Sequence, residues 1–166
     1  MLRWILALTL AMTVLPAHVA AQSNDLLMGT WKLVSAKITT DKGEVRDSWG
    51  EKPVGFLTYT ADGRMSAILT LGDRKPLSVS DFMTAPVAER AEAFATVAAY
   101  AGTYTHSGDK VVHHVEAASM PNDVGASLER VVVKLDQDRL VLRVAKPYLR
   151  GGMMVRSQEL IWERVK

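Results

Sequence analysis

Cysteine is missing from all 166 residues, which excludes a disulfide framework, a thiolate metal site and a cysteine for lipid attachment behind a leader. Also missing is an apolar run of the roughly 20 residues that a helix needs to span a bilayer; the run over residues 4–15 falls short of it. Charge of one sign is missing too. Twenty Lys and Arg stand against 18 Asp and Glu, a formal net charge of +2. The basic residues are scattered among acids, so no nucleic-acid or membrane-surface patch is expected. Signature motifs for hydrolases, dinucleotides, nucleotide phosphates and zinc peptidases are absent.

What is present, 48% hydrophobic and 23% charged residues, suits one ordinary globular domain. Arg3, the apolar run, Pro16 and the small-residue end Val19-Ala20-Ala21 read as a secretory signal peptide over residues 1–21. Cleavage after Ala21 would give a mature domain, residues 22–166, starting at Gln22 in the periplasm or outside the cell. No stable membrane insertion is expected after cleavage.

Residues 29–35 alternate as a half-buried strand with Trp31, Leu33 and Ser35 on one side. Residues 54–60 and 64–71 are two strands joined by Ala61-Asp62-Gly63, a three-residue hairpin loop. Pairing Thr60 with Arg64 puts Tyr59 opposite Met65 and Leu57 opposite Ala67, while Thr58 meets Ser66 on the other face. Residues 86–101 are rich in Ala and Glu with Val87, Ala91, Phe94 and Ala98 at helical spacing, which predicts one helix capped by Thr84 and ended by Gly102. Strands over 127–135, 139–145 and 154–164 complete the chain. Eight short strands and one inserted α-helix predict an all-β protein, an eight-stranded up-and-down antiparallel barrel with room for one small ligand.

The stretch 100–125 holds His106, His113 and His114. It reads as a hairpin about Ser107-Gly108-Asp109, with Tyr104, Val111, His113 and Val115 on an apolar face and Thr103, Thr105, His114 and Glu116 on the wetter one. His113 and His114 therefore point to opposite faces and cannot share a metal ion, and no metal or other cofactor is expected. His113 fits either a core ring bonded to Tyr104 or a carbonyl, or a ligand contact. Tyr59, Tyr104 and Arg130 would join it as convergent polar groups in an apolar cup. Arg130 alternates with Val131 and Val133 and faces inward only beside a bulge or if the valines face out. Met65, Met153 and Met154 are core filler or an adaptable lining. His114 and Glu116 would make an acid–base couple only if their face were the interior.

Gly29-Thr30-Trp31, the run from Pro53 through Tyr59 and Asp62-Gly63-Arg64-Met65-Ser66, Tyr100-Ala-Gly102-Thr-Tyr104, His113-His114-Val115-Glu116 and the closing Trp162-Glu163-Arg164 resemble the bacterial and fungal lipocalin-like domain family, calycin-type barrels. The resemblance covers nearly all of residues 22–166 and implies that Trp31 plugs the closed end while Arg164 packs across its ring. It is also the reason to keep Arg130, which follows Gly125, among the site residues. The expected ligand-binding set is Tyr59, Met65, Tyr104, His113 and Arg130, and the expected partner is a small, largely hydrophobic molecule. A cofactor-independent enzyme using proton-transfer chemistry in the same cup, and a structural or partner-binding barrel filled by side chains, are the alternatives.

Overall fold

The computed structural model describes residues 26–144 and 146–166; the signal-peptide reading over 1–21 and the start at Gln22 lie outside the described residues. Alternation of apolar and polar side chains lets each strand bury one face, and ten strands form in chain order: β1 (Gly29–Thr40), β2 (Val45–Asp47), β3 (Val54–Tyr59), β4 (Arg64–Thr70), β5 (Val97–Ser107), β6 (Lys110–Ala118), β7 (Ser127–Leu135), β8 (Arg139–Val144), β9 (Tyr148–Arg150) and β10 (Met153–Arg164). One helix, α1 (Val87–Ala95), sits between β4 and β5. The antiparallel order β1-β3-β4-β5-β6-β7-β8-β10 is closed by pairing of β10 with β1, which makes an eight-stranded barrel. Short β2 and β9 extend the seam outward from β1 and β10.

The β3–β4 hairpin has the register its turn dictates: Tyr59 opposite Met65, Leu57 opposite Ala67 and Thr58 opposite Ser66. The Gly63 amide donates to Thr60 O and the Thr60 amide to Arg64 O. In β1 a shift between Leu33 and Ser35 changes the inward phase, so Ala36, Ile38 and Thr40 are buried after Trp31 and Leu33. Ser35, expected inward, loses that place to Ala36, because a bulge spends one residue without advancing the partner strand.

The helix is shorter than its composition predicts. α1 stops at Ala95, and residues 97–101 instead pair with β4, Val97 opposite Thr70 and Tyr100 opposite Ala67. Alanine-rich sequence favours a helix by tenths of a kcal/mol per residue, but an interior barrel strand pairs its backbone on both sides. The face meant to hold the helix down stays largely exposed: Val87 is 73% exposed and Phe94 47%. Pro86 takes the N-cap position without a side-chain bond, while the Thr84 hydroxyl donates to Asp81 O. Gly102 is a strand residue, where a Cβ would come within 1.9 Å of the His114 carbonyl oxygen. Glycine is needed there for close backbone approach, not as a helix stop.

Trp31 is fully buried and donates from Nε1 to Leu27 O at 2.8 Å. The Arg164 guanidinium stands 4.1 Å from its ring centroid and donates to Met28 O, Leu26 O and Gln137 O. Gly29 has φ +121°, and a Cβ there would lie 2.6 Å from the Arg164 side chain. The small residue two before the tryptophan thus serves both the backbone turn and the cation over the ring.

Candidate functional site

Three neighbouring strands build one inner wall. β6 turns His113 inward between Val111 and Val115, all three buried; opposite it are Tyr104 on β5 and Leu128 on β7. His113 Nε2 is 2.6 Å from the Tyr59 hydroxyl and Nδ1 is 3.0 Å from the Tyr100 hydroxyl. A neutral imidazole has one donor and one acceptor nitrogen, so one tyrosine donates to the ring and the other accepts from it. Burial, then the nearby Arg130 charge, then His114, push the His113 pKa down from 6.5 to about 3. The ring is therefore uncharged near neutrality and works as a hydrogen-bond relay between two phenols.

The other expected residues fall around this trio. Tyr59 is buried, and its ring meets that of Tyr104 edge-on with centroids 4.7 Å apart. The Tyr104 hydroxyl turns away from His113 and donates to Thr60 O at 3.2 Å. Met65 is buried opposite Tyr59 and Gly102. Arg130 lies opposite buried Val111 and opposite Val144, which puts it on the interior face. The valines are the ones that face out: Val131 is opposite Lys110 and Arg143, and Val133 is exposed. The β7 irregularity comes after Val132, so Arg130 needs no bulge before it.

His114 points outward, within 3.1 Å of the Ser127 hydroxyl, and Glu116 pairs outside with Arg64 at 2.9 Å. No acid–base couple faces the interior from those two. Among the described residues no three His, Asp or Glu side chains converge as a metal site.

Tyr100 was hidden by the overlong helix reading; as a strand residue it shares the phase of Tyr104. A second polar group, also unread in the sequence, lies where β9 and β10 meet the loop before β3. The Tyr148 hydroxyl donates to Gln158 Oε1 at 2.8 Å, Gln158 Nε2 donates to the Ser48 hydroxyl at 3.0 Å, and Arg150 stands 4.6 Å from the Trp49 ring centroid while donating to Ser48 O. Gln158 shares the inward phase of Leu160 and Trp162, the one sequence signal for it. Burial raises the Tyr148 pKa, opposed by the charges of Arg150 and Arg130.

The inner wall is not uniformly buried. Inward-facing Ala98, Tyr100 and Tyr104 on β5 and Leu128, Arg130 and Val132 on β7 keep part of their surface in solvent. Buried Trp162 Nε1 has no hydrogen-bond partner among the described residues. A separate surface depression of about 660 Å³ lies over the Arg164 seam, walled by residues such as Asp136, Gln137, Glu163 and Lys166; none of its walls belongs to the tyrosine–histidine group.

A family model described as a lipocalin-like domain matches residues 28–165. No curated protein matches. Among solved structures, a lipocalin-like protein from Bacteroides uniformis ATCC 8492 is 15% identical, covering 84% of this chain and 99% of its own, with a TM-score of 0.44. An uncharacterized protein from Bacteroides eggerthii DSM 20697 is 14% identical over 84% and 99%, TM-score 0.42. A redesigned β-barrel is 10% identical over 89% and 98%, TM-score 0.42.

Proposed function

The chain belongs to the lipocalin-like domain family, and from that premise we propose that it is exported and holds a small, largely hydrophobic molecule inside its barrel. Tyr59, Met65, Tyr104, His113 and Arg130, joined by Tyr100, supply the polar and adaptable part of the wall. One observation carries the reading: inward side chains of β5 and β7 stay partly solvent-accessible around a neutral Tyr59–His113–Tyr100 chain. An apolar cup with a few convergent polar groups is how small-molecule pockets are built. The unpartnered Trp162 Nε1 supports it as well, since a buried donor is normally satisfied by some oxygen.

Proton-transfer catalysis is the weaker reading. A catalytic base works best with a pKa near the working pH, whereas His113 titrates near 3. A barrel filled by its own side chains sits poorly with the accessible surface on β5 and β7.

Mass spectrometry of protein recovered from the periplasm or medium tests export and binding together. The expected result is a chain beginning at Gln22 that releases a small apolar molecule on denaturation. A chain retaining Met1 overturns export. For the released molecule, His113→Phe is expected to weaken binding by about 1–3 kcal/mol through lost hydrogen bonding, and outward-facing His114→Phe to leave it unchanged. Equal effects of the two substitutions would sink the proposed role of His113.

A further inference from the structure

Arg130 is a half-buried cation on the interior face, with no acid paired to it among the described residues. Its own bond is Nη1 to the neighbouring Glu129 carbonyl at 2.9 Å. The exposed ion pairs of the described residues involve Glu44, Glu116, Glu129, Asp136, Asp138 and Glu159, each with a different base. The buried polar side chains among the described residues are Thr40, His113 and Gln158, none of them acidic. A guanidinium does not lose its proton in a protein; this one is half-buried, so the part that faces the interior is a permanent charge for which an anionic partner is favourable. Among the described residues no such partner is paired with it.

We propose that the bound molecule supplies it: an amphiphile with an apolar body and a carboxylate head, the carboxylate seated against Arg130 with the Tyr100 hydroxyl donating to it. This rests on the ligand-binding reading above and names the class of ligand for the same site. Tyr100 is level with Ala118 and Arg130 with Val111 on β6, but the Tyr100 hydroxyl reaches His113 at 3.0 Å, two residues from Val111 on the same inner face, and the Arg130 charge is felt at that ring. The relay has a direction that suits an anion. With the Tyr59 hydroxyl donating to Nε2 and Nδ1–H donating to the Tyr100 oxygen, the Tyr100 proton is left to point at the ligand. The opposite tautomer spends that proton on the ring. A bound carboxylate therefore selects the Nδ1–H form, and an arginine with a phenolic donor gives it charge-assisted bonds, about twice as strong as neutral ones. The fields of Arg130 and Arg150, both felt at Tyr148, add to the same sign.

The test is displacement of the neutral fluorophore N-phenylnaphthylamine by decanoate and by decanol, which share a chain and differ in head-group charge. Wild type should prefer decanoate by about tenfold or more. Arg130→Met should bring the ratio close to one, and Arg130→Lys should keep part of it. Arg143→Met, which removes the same charge from an outward side chain paired with Glu159, should keep the full ratio. Melting curves of each variant exclude misfolding. Equal binding of acid and alcohol by wild type, or a preference that survives Arg130→Met, overturns the inference while leaving hydrophobic binding intact. Failure of fluorophore, acid and alcohol alike overturns the ligand-binding reading and this inference with it.

Discussion

His113 couples the site to stability through its suppressed proton affinity. In the unfolded chain it titrates near 6.5 and in the fold near 3, so on acidification the unfolded state takes up the proton first. Stability is then level above about pH 6.5, falls through the window down to about pH 3, and levels off below it, by about 1.4 kcal/mol for each pH unit of full separation. The causes are burial first, then the Arg130 and His114 charges, while the phenols of Tyr59 and Tyr100 face the ring nitrogens. Urea melts of wild type and His113→Phe at pH 7 and pH 5 should show a steeper loss for wild type. Parallel loss in both would mean the acid sensitivity comes from elsewhere. Residue by residue, the inward phase of His113 was legible because a hairpin with a recognisable turn fixes alternation. Arg130 was only half legible, since a β-branched pair such as Val131 and Val133 normally marks the buried face of a strand, and here it marks the outer one.

At the level of elements, what the sequence announces depends on how local the deciding interaction is. The β3–β4 register follows from three turn residues and needed no tertiary information. The helix boundary did not, because the Ala-rich stretch after Ala95 is decided by ladder bonds to β4, some thirty positions earlier in the chain. The same holds for the Ser48–Gln158–Tyr148 group, whose members come from the two ends of the barrel sequence. α1 itself buries no residue, and what ties it down besides its own hydrogen bonds are exposed ones, from Arg74 to Ala93 O and from Ser78 to Glu89, so its opening is opposed only weakly. Native-state hydrogen exchange should find α1 amides exchanging far faster than those of β4 or β6; protection in α1 equal to that of the strands would show that its exposed face is covered in solution.

Over the whole molecule, closure of the barrel depends on the pairing of β1 with β10 and on the plug beneath it. Trp31 fills its site completely and spends its indole N–H on Leu27. Trp31→Ala should therefore cost about 3–5 kcal/mol, the usual range for emptying a buried aromatic site. Arg164→Ala should cost less, about 2 kcal/mol, since the cation lies over the ring and partly in solvent, where its carbonyl acceptors can turn to water. Denaturant melts rank the two. Negligible loss in both would remove the plug from the account of what holds this end shut.

The seam has a consequence for how copies of the molecule behave toward one another. A closed barrel has no free strand edges, yet β2 and β9 restore two, on opposite sides of the ribbon that β1 and β10 carry past the barrel. Joining one copy's β2 to the next copy's β9 would be a head-to-tail contact, the kind that does not close and grows into a filament. Each edge is only three residues long, Val45–Asp47 and Tyr148–Arg150, and each carries an arginine. Short, charged edges offer an incoming strand few ladder bonds and a charge to bury, which works against edge-to-edge growth at β2 and β9.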